Sequence, residues 1–550
     1  MNRSAYAALA AFVLAAGPSP AQDAAPAPTP ALVQPAPDTR PVLELTLDEA
    51  VRRTLENNVD IAVERFNPES SGYTIDELRG NYEPVLLSTL TRNSASRPGT
   101  NAFAGGTSVD TDINTFNLGA QQDVPTGGNL RLDFNNRRTG TNSVFESFNP
   151  SFNSTFNLQY SQPFLRNFRT DSLRTQIKVA KKNREISDVQ FRQTVVNTVA
   201  SVKQAYYDLL YSIDNLEAQR SSLALASKLL GENQIRVRVG TMAPLDVVQA
   251  ESEQASREEA VIVAVAAVAE AEDALKRAIF NTNDPATWET RIVPVDRPTA
   301  EPFLVDTGAA IRTALEKRTD ITAARKGLES AEYNVTFAKS QLLPTVDLIA
   351  AYGTTGTGGT LIQREGFGGP IISTTPGGFG DALSDVFGRN FPTWTLGFNV
   401  AYPIFNRQAG AASARAKINR DQSQANIRRL EMQITGEVRS AARAVETNYK
   451  RVESTRAARV LQERRLDAET KKFAAGMSTN FLVTQSQRDL AVAQVAELRA
   501  VADYRKSLVN FERVQEAGLG GTGSTATVQT GNRATSASTG GSTAAGSTQQ

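Results

Sequence analysis

The chain has 550 residues, 59 of them basic and 58 acidic, for a formal net charge of +1, and it contains neither cysteine nor histidine. The charge balance gives no hint of a polyanionic partner such as nucleic acid. The missing residue types remove thiol nucleophiles, Ser–His dyads, zinc ligand sets and iron–sulfur centres together.

The N-terminus reads as a targeting signal: Arg3 supplies the charged end, Ala5 to Ala16 an apolar run, and Ser19-Pro20-Ala21 a small-residue cleavage site. The apolar run is too short to span a bilayer. No cysteine follows it, which excludes lipid anchoring at a processed N-terminal cysteine. Residues 1–21 are therefore expected to be a signal peptide and 22–41 an Ala/Pro-rich leader. The mature chain has no other long apolar run, so a membrane crossing requires a β-barrel. At the far end, 517–550 is a Gly/Ser/Thr tail expected to be disordered.

The part between is a tandem repeat. Leu55 and Asp60 match Leu315 and Asp320 at a shift of 260, and Pro84 matches Pro344 at the same shift. Pro163 matches Pro403 at a shift of 240. Gly240, Leu245, Val247 and Gln249 match Gly476, Phe481, Val483 and Gln485 at a shift of 236. Anchors in the same order imply one structural unit used twice. The units are repeat 1 at 42–280 and repeat 2 at 306–516, joined by a linker at 281–305.

Each unit opens with short helices, at 46–80 and 306–341. A β region follows, at 84–163 and 344–403. Its runs alternate with period two: Phe116, Leu118 and Ala120; Leu130, Leu132 and Phe134; Phe156, Leu158 and Tyr160; Trp394, Leu396 and Phe398. That is the apolar-out, polar-in pattern of a membrane barrel, and equally that of a soluble half-buried strand. The glycine-rich stretch from Gly353 to Gly380 reads as a long surface loop.

Next come very long helices, at 170–239 and 408–475, and then shorter closing helices, at 245–280 and 481–516. From Asp171 to Val239 there is no proline and a single glycine, Gly231. At ~1.5 Å rise per residue such a helix is about 100 Å long, too long for a globular domain. Leu209, Leu216, Leu223, Leu230 and Val237 recur every seven residues. So do Val438, Val445, Val452, Leu466 and Phe473, with Arg459 interrupting. Heptads predict a coiled-coil seam.

The leading pattern of Leu47, Ala50, Leu55 and Asn58, with the Gly-x-x-x-x-[Leu/Phe]-x-Val-x-Gln pattern after each long helix, resembles the TolC-like outer-membrane efflux proteins. The resemblance covers nearly all of 42–517. It implies an α+β membrane protein in which three chains close one outer-membrane β-barrel, usually with four strands from each. A long periplasmic α-helical coiled-coil barrel continues it. The implied function is a passive exit channel of a tripartite efflux or type I secretion system. The implied partners are two further copies of the chain, outer-membrane lipid, a periplasmic adaptor and, through it, an inner-membrane pump. No enzyme activity, cofactor or metal is implied, and no Gly-x-x-x-x-Gly-Lys-Ser/Thr nucleotide loop occurs.

The family's adaptor-contacting tips map to Gly240, Thr241 and Met242 and to Gly476, Met477 and Ser478. A plain helix-capping role suits both glycines as well. Asp246 matches an acidic residue near the family's periplasmic gate, though an aspartate also favours a helix N-terminus on its own account. Some members carry paired gate aspartates in the second repeat. Leu482 and Gln485 stand there, which puts a second acidic ring in doubt. The first β region is also longer: Pro84 to Pro163 against Pro344 to Pro403, with a turn at 124–129. The insert is either a hairpin on an outer loop or two additional barrel strands. The alternative to a channel is a soluble periplasmic coiled-coil adaptor or scaffold.

Overall fold

The computed structural model describes residues 40–99, 107–281, 285–297, 299–366 and 369–518. The expected signal segment, nearly all of the leader and most of the tail lie outside the described residues.

The chain opens with strand β1 (Val42–Leu45) and short helices α1 (Leu47–Asn57), α2 (Val59–Glu64) and α3 (Phe66–Gly80). Four strands follow: β2 (Val85–Pro98), β3 (Ser108–Asp123), β4 (Asn129–Thr141) and β5 (Phe148–Pro163). Helices α4 (Ser172–Arg238) and α5 (Pro244–Ile279) complete the first half. The segment expected as a linker holds a short helix, α6 (Ala286–Glu289), and a strand, β6 (Arg291–Pro294), which pairs in parallel with β1. The second half runs α7 (Thr307–Lys317), α8 (Thr319–Ser340), β7 (Thr345–Arg364), β8 (Ile371–Thr375), α9 (Phe379–Gly388), β9 (Pro392–Ala401), α10 (Arg407–Ala474) and α11 (Asn480–Glu516).

With 67 and 68 residues, α4 and α10 are each about 100 Å long. Asp171 starts α4 by accepting the backbone N–H of Arg174 at 2.6 Å. Along α10 the heptad residues Val438, Val445, Val452 and Phe473 are buried. Most join one core with Ile434, Tyr504 and Phe511, where α11 packs beside α10 and α7. Arg459, out of place in an apolar seam, is held by Glu497 on α11 and Glu463 one turn on. On α4 only Leu209 of the heptad set is buried; Leu216, Leu223 and Leu230 are half-covered. The other buried positions include Val202, Tyr206, Ser222, Ala226, Leu229 and Asn233. The reason is that α4 has neighbours on more than one side, α5, α11 and α8, and buries a broader face than a two-stranded seam.

The β1–β6 pair is tied to this helical core. The Tyr206 hydroxyl donates to the Leu45 carbonyl at 3.1 Å, and burial pushes its pKa up to about 12. Buried Glu272 accepts the Ile292 N–H at 3.0 Å and pairs with Lys276 at 3.1 Å.

The other strands form one antiparallel sheet in the order β2-β3-β4-β5-β7, with β9 and β8 end to end along the far flank of β7. Its two faces differ in chemistry. One cross-strand row reads Leu86, Ala120, Leu132, Leu158, Tyr352 and Trp394. The adjacent row on the opposite face reads Leu87, Gly119, Asp133, Asn157, Gly353 and Thr393.

The expectation of a surface loop over Gly353–Gly380 is wrong. Strand β7 continues to Arg364, β8 follows, and α9 begins at Phe379. Gly356 and Gly358 mark close approach, not a loop. A Cβ on Gly356 would run into the Ala382 carbonyl, and one on Gly358 into that of Gly378. Helix α9 thus lies on the apolar face. There it covers buried Ser154 and Thr354, and its Phe387 and Phe379 meet Phe134 and Phe152.

Candidate functional site

The expected tip residues lie at two turns of matching geometry. After α4, the Gly240 N–H donates to the Val237 carbonyl at 3.0 Å and the Thr241 N–H to that of Arg236 at 2.9 Å. After α10, Gly476 donates to Phe473 at 3.1 Å and Met477 to Lys472 at 2.9 Å. Both are Schellman closures, which place the glycine in the left-handed region. The φ angles are +78° at Gly240 and +76° at Gly476. Open space surrounds both positions, so backbone conformation alone selects glycine there.

The fold brings the two turns together. Met242 packs on a small core of Leu229, Phe473 and Val483. The Arg236 guanidinium sits over the Phe473 ring, 4.5 Å from its centroid. Buried Asn233 on α4 donates through Nδ2 to Oδ1 of buried Asn480 at 2.8 Å. Asn480 in turn donates to the Asp246 carbonyl at 3.2 Å. The Ser478 hydroxyl donates to Glu469 and, as the largest influence, holds that carboxyl below its usual range.

The gate-region residues have different surroundings. Asp246 is half-buried in the first turn of α5. Leu482 is exposed beside Phe481, and Met477 and Leu245 project into solvent. Gln485 donates its amide to Asp489 at 2.8 Å. Sequence reasoning missed Asn233, Asn480 and the ion cluster one level away. There Glu253, 3 % exposed, accepts Arg488 Nε at 2.7 Å and Arg257 Nε at 2.8 Å. Burial raises the Glu253 pKa, but the hydrogen bonds from Arg488 and Arg257 outweigh it and leave the carboxyl below its ordinary value. The i,i+4 spacing of Glu253 and Arg257 was the available signal. Nothing in the sequence pointed across to Arg488. Among the described residues, no cluster of acidic side chains is arranged to hold a metal ion.

Residues 129–279 and 310–514 match the model of the family described as outer membrane efflux protein. The chain belongs to that family.

The chain resembles the outer membrane efflux protein BepC of Brucella suis, with 24% identity over 350 residues, or 64% of this chain and 69% of BepC. Its fold is like that of the CmeC outer membrane channel of Campylobacter jejuni, with a TM-score of 0.60 at 17% identity over 86% of this chain and 85% of that one. It is also like the outer membrane protein VceC of Vibrio cholerae, with a TM-score of 0.59 at 16% identity over 86% and 96%. As an outer membrane efflux protein the chain is an outer-membrane channel that extends into the periplasm, and it is not an enzyme. No helix among the described residues is long and apolar enough to cross a membrane.

Proposed function

We propose that this efflux protein works as a homotrimer, forming a passive outer-membrane exit duct for a tripartite efflux or type I secretion system. The observation that carries the reading is the sheet. It has one apolar face and one polar face, flanked on one side by β2 and on the other by β9 with β8 beyond it, and the outer edges of these strands are unpaired among the described residues. An unpaired edge in a bilayer leaves backbone N–H and C=O groups without partners, at several kcal/mol each. Pairing with neighbouring copies removes both edges and turns the apolar face, with α9 resting on part of it, to lipid. The helices then continue the duct into the periplasm in two tandem repeats, with the half-covered Leu216, Leu223 and Leu230 facing neighbouring chains.

The tips, Gly240-Thr241-Met242 and Gly476-Met477-Ser478, are the docking points for a periplasmic adaptor, which links the duct to an inner-membrane pump. The exposed Leu245, Met477, Phe481 and Leu482 give these tips apolar contact surface. Asp246, Leu482 and Gln485 line the periplasmic gate, which is then mainly apolar and amide in character. Energy comes from the pump.

The test combines membrane fractionation with single-channel recording of the detergent-purified protein. Discrete openings from an outer-membrane trimer are expected. A soluble periplasmic protein without conductance would replace the duct with a helical adaptor or scaffold.

A further inference from the structure

We infer that the barrel wall contains six strands from each chain, so that a trimer closes eighteen strands and not the twelve that four per chain would give. This rests on the trimeric duct proposed above. Its basis is the longer first β region, whose place the sequence leaves open between an outer loop and the wall.

The structure places that insert in the sheet. Strand β2 pairs with β3 without a break from Val85↔Gln121 to Pro98↔Ser108, and β3 pairs with β4 from Asp123↔Asn129 to Thr111↔Thr141. The regions matched by the family model hold β4, β5, β7 and β9, whereas β2 and β3 fall outside them. The added hairpin also carries the two-faced pattern. Leu86 and Leu90 face the same way as Leu132 and Trp394, and both are more than 70 % exposed in the single chain. A hairpin standing clear of the bilayer has no reason to keep that register.

The turn between β3 and β4 is fixed at the helical end. The Thr126 hydroxyl donates to Gln162 Oε1 at 2.8 Å, Gln162 Nε2 donates back to the Thr126 carbonyl at 3.1 Å, and Arg174 of α4 reaches the same carbonyl at 3.4 Å. This turn therefore closes against the start of α4, and β3 and β4 run the height of the wall.

Strand direction allows the ring to close. Directions alternate from β2 through β3, β4, β5 and β7 to β9, so β2 and β9 run opposite ways. The β9 edge of one copy then meets the β2 edge of the next antiparallel, like every other pair in the sheet. An even strand number results, as outer-membrane barrels have.

The geometry sets the width. With strands ~4.8 Å apart and tilted ~40°, eighteen strands enclose a backbone cylinder about 36 Å across, against about 24 Å for twelve. The outer-membrane section then does not restrict cargo that a twelve-stranded wall would hold back, and selection by size falls to the periplasmic tips.

Electron cryomicroscopy of the full-length trimer in detergent, viewed down the axis, decides the count. Eighteen strands in a wall of that width are expected. A trimer with twelve strands, and β2 and β3 outside the wall, overturns the inference and leaves the duct standing. A protein that is not a trimer, or not in the outer membrane, sinks the duct itself. Cross-linking supplies an independent readout, since the natural chain has no cysteine. Cysteines scanned along Leu86, Ser88 and Leu90 should form interchain disulfides with cysteines at Trp394, Leu396 or Phe398. Interchain bonds from those β9 positions to Leu132→Cys instead would place β4 at the edge and refute the six-strand wall.

Discussion

Asn233 and Asn480, 247 residues apart in sequence, share a buried amide–amide hydrogen bond of 2.8 Å that joins the end of α4 to the start of α11. The remaining Asn233 oxygen is buried without a partner, so the bridge has no reserve. Replacing Asn480 with Leu leaves the Asn233 amide buried and unsatisfied as well, at a cost of about 1–3 kcal/mol. Asn480→Leu should lower the thermal midpoint of the helical signal and raise the resting conductance of the purified channel. The double variant with Asn233→Leu should recover stability, because no orphaned polar group remains. A double variant no more stable than the single one would remove the bridge from the account.

The Glu253 cluster predicts a pH dependence. Its carboxyl is held below the unfolded value, so its contribution is complete above about pH 5 and is lost as pH falls through the folded pKa. Glu253→Gln should cost about 2 kcal/mol at pH 7, a figure kept low because Arg488 is half exposed. The melting curves of variant and wild type should converge as pH falls through the lowered folded pKa. A difference that stays constant with pH would mean that packing, and not charge, carries the effect.

Arg459 is the polar interruption of an apolar seam, and its partner Glu497 is itself mostly buried. Arg459→Leu fills the heptad but leaves Glu497 with only Arg456, at 3.6 Å. The single change should destabilise by about 1–2 kcal/mol, and Arg459→Leu with Glu497→Leu should restore or exceed wild-type stability. Thermal unfolding of the wild type, Arg459→Leu, Glu497→Leu and the double variant, analysed as a double-mutant cycle, measures the coupling.

In the proposed duct, substitutions at the tip glycines should separate assembly from docking. Valine at Gly240 and Gly476 forces a β-branched residue to positive φ, at roughly 1–2 kcal/mol each, with no steric clash at either site. Trimers should therefore still form while both turns reshape. Export that depends on the adaptor should fall at least tenfold, as read by substrate accumulation in cells. Unchanged export with intact trimers would exclude the tips from docking.

Much of the helical architecture was legible because periodicity over dozens of residues survives local exceptions. The buried α10 stripe follows the heptads directly, and the glycine after each long helix carries the positive φ that its position calls for. The α4 stripe was misread because Ser222, Ala226 and Asn233, which are buried, look like surface residues in a pattern search. Helices packed on several sides bury small and polar residues together with apolar ones. The Gly353–Gly380 region failed for a related reason. A run of glycines signals either a loop or a surface on which something rests, and only α9 above Gly356 and Gly358 distinguishes them. At the candidate site the turns were found from sequence, but Asn480 and Arg488 were not, since pairs that meet across separate helices leave no spacing to read.

The open flanks of β2 and β9 have a genetic consequence. In the proposed trimer each copy must offer both edges for the ring to close, so one faulty subunit spoils the two sound ones that join it. A proline placed in the β9 edge should therefore act dominantly: expressed beside the normal gene, it should deplete working channels far beyond its own share of the chains.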